Sequence, residues 1–492
     1  MALSTAIKLL VVLFALVGAA TIPESAADFI IKKDVVILGG GASGAHAAVR
    51  LREDYGKSVV IVEKQSNLGG HVETYTDPET GNPYDYGLNS YTEYGAAKEF
   101  FARFNVSIST PVRATLTTHF ADFTTGQELE GYENPASEDV TTALKKYLEI
   151  CEKYEDLIAP SFANFPEKDV PEDLLMKFSD FVVKYGLEAM VPRLFQVTGM
   201  GLGSVADELT LYVMQVFGAP ITRTFLGLAG SFVPTSRRNQ DLYDNIAKAL
   251  DRDVLYSSTV VRSHRDDNGV QLLVRGQDSK LTLVTAKKLL ISFSPTMENI
   301  APFGPDSTEL DVFTTWGVNH VYAGVATHPA LSDNYSFVNY PSSVVPDNWL
   351  VLPETPFVVR YEYLGDRNFR VLVTGDQGTD SIQAQSIAKE TFKTLLHNVI
   401  SSVNPEGFLA HQDEDLEILE WADHTGIHPH VPVDKLQNGF YKKLYALQGR
   451  RSTFFTGGAF AHDFTTLLWE YNDQYLLPKI LTSLKPCTHS SM

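Results

Sequence analysis

The chain has 492 residues, enough to bury more than one hydrophobic core. Its composition, 44% hydrophobic and 20% charged, is that of an ordinary globular protein. A formal net charge of -20 argues against nucleic acid or an anionic membrane surface as a partner. It says little about a small neutral or cationic substrate, because one pocket need not share the sign of the whole.

Taken in chain order, the N-terminus stands outside the fold. Lys8 precedes an unbroken apolar run, Leu9 to Ala20, which is shorter than the roughly 20 residues a spanning helix needs. Small residues follow. This reads as a signal peptide over residues 1–20, with cleavage after Ala20 or alternatively after Ala27. No later segment is long and apolar enough to span a bilayer. The expectation is a protein of the secretory lumen or the cell exterior, with no stable membrane insertion.

Asp34–Glu63 is the stretch around which the chain is organised. Val35 to Leu38 reads as a fully buried strand. Gly39, Gly41 and Gly44 then fall at dinucleotide-binding spacing. Gly39 permits a tight turn, Gly41 leaves room for a pyrophosphate against the backbone, and Gly44 lets the next helix pack close. That helix is predicted over Ser43 to Asp54, its N-terminal amides aimed at the phosphates. A second strand, Val59 to Val62, ends at Glu63, placed to accept hydrogen bonds from an adenosine ribose. Gly69-Gly70 comes soon after and suits either a turn or a second phosphate contact; its position after the nucleotide motif points to the contact. Tyr84-Asp85-Tyr86-Gly87 reads as a short strand and turn, and Ala96 to Phe104 as a helix.

With these residues in place the sequence resembles the flavin-containing amine oxidoreductases in the broad sense. That group shares GxGxxG, an acid ending strand two, a Leu-Gly-Gly segment and an Asp-x-Gly turn. Here they are Gly39/Gly41/Gly44, Glu63, Leu68-Gly69-Gly70 and Asp85-Tyr86-Gly87. Amine oxidases proper place Arg after the two glycines; this chain has His71. It looks more like a subgroup that contains polyenoic fatty acid isomerase and beta-cyclopiazonate dehydrogenase-like enzymes. The resemblance implies FAD, held without a covalent bond; Ser43 is a candidate contact, and His71 either donates to a phosphate, sits near the ring or is a surface turn histidine.

From Ser107 to about Leu228 the pattern is mostly helical, with amphipathic stretches Val140–Tyr154 and Leu174–Tyr185. Gly199-Met-Gly201-Leu-Gly203 lacks the flanking strand and acid of a second nucleotide site and reads as a helix-breaking turn. Gln240 to Leu250 is a helix. Strands come next around an Asn268-Gly269 turn, closing with a buried strand Leu289–Phe293. The resemblance returns this block to the FAD domain, with Val261 beside the adenine; otherwise it is an antiparallel excursion without ligand contact. Residues 300–440 show no catalytic motif. They are rich in aromatics, and His320 is a candidate base.

The closing motif is Phe454-Phe-Thr-Gly457-Gly458, with a helix starting near Thr465 or Thr466. The resembled family carries an acid after the first glycine; Gly458 stands there, so its flavin contact comes from backbone. Trp469 and Tyr471 are flavin-side candidates on that helix. They are two residues apart, so at most one points to the ring. The two cysteines, Cys151 and Cys487, are a disulfide or two free thiols, and neither suits covalent flavin linkage. No Cys/His cluster has metal spacing. Asn105 and Asn334 open N-glycosylation sequons.

The fold expectation is α/β. A Rossmann-like FAD domain comes from 30–105, 236–298 and 445–485, and an interleaved substrate domain from 106–235 and 299–444. The functional expectation is an FAD-dependent oxidoreductase acting on a hydrophobic small molecule of secondary metabolism, with molecular oxygen as electron acceptor. The alternatives are an FAD-dependent double-bond isomerase of polyunsaturated fatty acids and a flavin-binding protein without turnover.

Overall fold

Strand Phe29–Leu38 is the axis of the first sheet. Its last four residues, Val35 to Leu38, are buried. A strand apolar on both faces is stable only where both are covered, which is the setting of a parallel sheet. Val59–Val62 pairs parallel on one side and Leu281–Ile291 on the other. Val254–Leu255 extends the sheet beyond Val59–Val62, and Thr453–Phe455 pairs parallel with the end of Leu281–Ile291. These five strands therefore bring their carboxyl ends to one edge, where doubly wound sheets bind ligands. A computed structural model describes residues 21–112, 114–198, 201–462 and 464–485. The signal-peptide stretch 1–20, Cys487, and Gly199 and Met200 of the glycine-rich turn lie outside the described residues.

The helix after the first strand is α-helical over Ala42–Val49 and widens to a π turn over Arg50–Asp54. The predicted helix Gln240–Leu250 is present with those ends. The strands predicted on either side of the Asn268-Gly269 turn are present, but the last two, ending with Leu289–Phe293, are corrected: they are one strand, Leu281–Ile291. No glycine or proline interrupts it, and its partner Phe29–Leu38 runs nearly the same length. Thr259–Asp266 and Gly269–Arg275 form an antiparallel hairpin against its first half.

The mostly helical reading of Ser107–Leu228 holds from Ser137 onward and is corrected before it. Ile108–Ser109, Thr117–Asp122 and Gln127–Glu128 are strands before the helices begin at Ser137. Thr117–Asp122 pairs with Tyr335–Asn339, a partner far along the chain that local pattern does not announce. Both belong to a second, seven-stranded sheet. Its order is Glu417–His430, Gly317–Thr327, Asn368–Gly375, Phe357–Gly365, Tyr335–Asn339, Thr117–Asp122 and Gln127–Glu128. Helix Ser381–Leu395 covers one face through Ala384, Ala388 and Phe392, against Tyr322 and Tyr361. The other face, with Ala323, Val325 and Leu372, joins the core shared with the first sheet. Helix Thr210–Phe217 is buried on every side.

One buried ion pair ties the hairpin to the rest. Arg265 and Glu309 have side-chain exposures of 0% and 1% and form two parallel hydrogen bonds, each 2.9 Å. Arg265 also donates to the Phe303 carbonyl and to Thr453 Oγ1. The pair thus joins strand Thr259–Asp266, helix Ser307–Phe313 and strand Thr453–Phe455. Removing one partner strands a charge in a dry site. Glu309→Ala is expected to lower unfolding stability by about 3–5 kcal/mol. The paired change Arg265→Met with Glu309→Leu should recover most of it, as read from urea unfolding midpoints.

Candidate FAD site

At the carboxyl edge of the first sheet two glycine segments, Gly39–Gly44 and Gly69–Gly70, meet backbone to backbone. Gly39 turns the chain with φ +92°, a region glycine enters without strain. Gly44 packs so closely that a Cβ there would lie 2.1 Å from the Gly39 carbonyl oxygen and 2.6 Å from Ser292 Oγ. Gly41 bridges to Gly69, and the Gly69 amide donates to the Gly40 carbonyl at 3.0 Å. A Cβ on Gly70 would stand 2.9 Å from Gly41 Cα, whereas one on Gly41 would meet only the Gly70 backbone, at 3.5 Å or beyond. Helix Ala42–Val49 starts at Gly41 with no side chain capping its amides. Ser43 Oγ, in its first turn, is buried with no hydrogen-bond partner among the described residues. An uncapped helix start, an orphan hydroxyl and a side-chain-free cradle fit the diphosphate of a dinucleotide.

Glu63 braces this corner. Its Oε2 accepts from the Gly40 amide at 2.5 Å and its Oε1 from the Gln65 amide at 2.8 Å. A carboxylate has about four acceptor positions, so capacity remains for ribose hydroxyls. The Ser258 amide donates to the Glu63 carbonyl, which brings the start of strand Thr259–Asp266 to the same corner. Val261 lies in that strand at a bulge, 36% exposed. Gly457 turns the chain at φ +107° beside the Ser292 carbonyl, and Gly458 offers its own carbonyl to Gln215.

The second sheet reaches over this edge with strand Glu417–His430. Its Gly426 passes Ser294 and Thr296, just beyond the end of Leu281–Ile291. Its His424 is buried and stacks on the His71 ring, centroids 4.2 Å apart and planes 26° apart. Burial, then the charges of His71 and Lys64, hold the His424 imidazole well below the usual histidine range. Its Nε2 finds no partner among the described residues. Nothing in the 300–440 stretch marked His424 in advance. Its only sequence signal is the alternation of strand Glu417–His430, which places it on the face of Ala422.

The candidate catalytic residues named from sequence are not gathered here. His320 belongs to the opposite face of the second sheet. Its Nδ1 lies 3.2 Å from both Tyr322 Oη and the Thr379 carbonyl, under helix Ser381–Leu395, while its neighbour Val321 pairs with His424. Trp469 donates to the Ala42 carbonyl at 3.1 Å and stacks on His46, so it props helix Ala42–Val49 from behind. Tyr471 is buried among Tyr445, Tyr475 and Gln448. Both aromatics pack; neither faces solvent, because the helix carrying them is covered on nearly all sides. Cys151 lies buried in helix Ser137–Ile158, its thiol pushed up by desolvation, so it is a core residue and no flavin anchor. Asn105 and Asn334 are exposed.

Residues 37–104 match a family model described as an NAD(P)-binding Rossmann-like domain. The FAD-dependent oxidoreductase pigF of Monascus ruber is 34% identical, over 93% of this chain and 94% of its own. The chain belongs to the FAD-dependent oxidoreductases. Beta-cyclopiazonate dehydrogenase of Aspergillus oryzae is 32% identical, over 91% of this chain and 92% of its own. Among solved structures, the fatty acid isomerase from P. acnes superposes with a TM-score of 0.68 at 18% identity, covering 91% of this chain and 98% of that one. Cyclohexylamine oxidase from Brevibacterium oxydans gives 0.61 at 16% identity, covering 92% and 100%. The α/β fold with a Rossmann-like part and amine-oxidase-like neighbours stands as expected from the sequence. This FAD-dependent oxidoreductase is an enzyme, and the reading as a flavin binder without turnover is set aside. No helix among the described residues is long and apolar enough to cross a membrane.

The cradle separates two effects of adding a side chain. A Cβ on Gly41 meets only ordinary contact distances, so Gly41→Ala is expected to fold with a near-normal thermal midpoint but to purify with less of its yellow cofactor. Gly44→Val must displace the Gly39 carbonyl and should lose both cofactor and stability, about 1–3 kcal/mol for overpacking. Flavin content by absorbance, alongside thermal melts of the apoproteins, checks both.

Proposed function

We propose that this oxidoreductase dehydrogenates a hydrophobic small molecule of fungal secondary metabolism, with molecular oxygen as final acceptor, between the glycine cradle and strand Glu417–His430. The observation that carries this reading is His424: a buried, neutral imidazole with an unpartnered Nε2, on the sheet face turned to the cradle. The likeness to fungal FAD-dependent oxidoreductases, one of them named for beta-cyclopiazonate, supports the biosynthetic part of this reading. Bound FAD supplies the hydride acceptor. The protein supplies position and a proton acceptor. His424 Nε2 takes the proton from an N–H or O–H next to the C–H bond that is oxidised. His71 holds the ring by stacking, and the apolar core around Ala422 and Ala323 excludes water. The likeness to a fatty acid isomerase, at 18% identity, concerns the fold.

We further read the chain as two interleaved parts, an FAD domain and a substrate domain, and as secreted. Ile22 is buried against Leu273 and Leu283, and its amide donates to Gln271 Oε1 at 2.8 Å. Residues from 21 onward thus belong to the fold, which supports cleavage after Ala20 over Ala27. The exposed Asn105 and Asn334 are the glycosylation sites.

Mixing the FAD-loaded enzyme anaerobically with its substrate should bleach the flavin, and admitting oxygen should restore it. Turnover to a product of unchanged mass would instead establish the isomerase. His424→Gln should keep the flavin and lose about 10²–10⁴-fold in the rate of bleaching. Because the folded imidazole stays neutral below the usual histidine range, that rate should not fall between about pH 8 and 6. The same depression means the unfolded chain binds the extra proton first, so His424 costs stability as pH falls below about 6.5. N-terminal sequencing of the exported protein should begin at Thr21.

A further inference from the structure

Helix Thr210–Phe217 is apolar but for one long polar side chain, Gln215, which is 1% exposed. Its Nε2 donates to two carbonyls, those of Gly458 and Ala461, each at 2.9 Å. Carbonyl oxygens only accept, so they fix which end of the amide is which. The other end, Oε1, is therefore an acceptor, and it is buried with no partner among the described residues. Such an oxygen calls for a donor. The neighbouring Tyr212 hydroxyl is already committed: it donates to the Val431 carbonyl and accepts from the Val431 amide. The Gly457–Gly458 turn that Gln215 holds lies against Ser292, at the edge where the cradle opens.

Resting on the assignment of that turn to FAD, we infer that Gln215 is a cofactor-holding residue. Its Nε2 fixes the turn and its Oε1 accepts a hydrogen bond from FAD, which carries ribityl hydroxyls and a ring imide N–H. The residue lies in the helical stretch outside the segments expected to bind the cofactor. It makes the turn and the cofactor depend on one amide.

The test compares wild type with Gln215→Met, which removes both ends of the amide, and Gln215→Lys, which keeps a donor for the two carbonyls and removes the acceptor. FAD binding to each apoprotein is followed by quenching of flavin fluorescence, and the flavin absorption bands and thermal midpoints are recorded with and without FAD. Both variants are expected to bind FAD about tenfold more weakly, to shift the flavin bands, and to gain less thermal stability from FAD than wild type does. Wild-type affinity in Gln215→Met, or its full recovery in Gln215→Lys, would overturn the inference and leave Gln215 a brace for the turn with a water on Oε1. If the wild-type apoprotein itself takes up no FAD, the cradle assignment fails, an outcome separate from either.

Discussion

Gly41 and Gly70 approach until only backbone lies between them, and the rest of the molecule is arranged around that contact. Without side chains the first strand-to-helix turn and the Gly69–Gly70 segment lie side by side, joined by the Gly69 amide and the Gly40 carbonyl. Gly44 adds a second close approach, drawing helix Ala42–Val49 onto Gly39 and Ser292. The helix start is then left with no side chain capping its amides, the arrangement that binds a diphosphate. Trp469 and Asn472 hold the same helix from behind through the carbonyls of Ala42 and Ser43. The closing helix therefore serves the site by support.

The second sheet completes the site through its exposed register. Strand Glu417–His430 carries Ala422 and His424 on one face and Trp421 and Asp423 on the other, where they meet Tyr322 and Ser381. A shift of one residue would exchange these sets and put His424 under helix Ser381–Leu395. Register irregularities opposite Gly317 and Asn319, with Gly426 and His428 both at positive φ, bend the end of this strand across Ser294 and Thr296. Bulges are a usual means of re-aiming side chains beside a site.

Buried polar groups serve two different tasks here. Arg265 and Glu309 are fully paired and join three elements, so they hold structure together. Ser43 Oγ, Gln215 Oε1 and His424 Nε2 are buried and unpaired among the described residues; Ser43 opens the helix at the cradle, His424 stacks on His71 after Gly70, and Gln215 holds the Gly457–Gly458 turn. Native interiors satisfy most of their polar atoms, and at these three places bound FAD is the group that brings the partners.

Much was legible in the sequence because it is local. The buried strands Val35–Leu38 and Val59–Val62, the glycine turn between them, Glu63 and helix Gln240–Leu250 follow from apolar runs, spacing and period. Those patterns determine the nucleotide-binding corner and, through the family resemblance, FAD. Tertiary structure alone decided which side chains join that corner. His320 and His424 look equally eligible in the chain, yet opposite faces of one sheet separate them. Trp469 and Tyr471 were drawn toward the site by nearness in sequence and went to the core instead. Gln215 sits in an apolar helix, and its role is visible only once two distant carbonyls fix its amide. Spacing along a strand or helix says which residues share a face; what that face meets is set by pairing with chain hundreds of residues away.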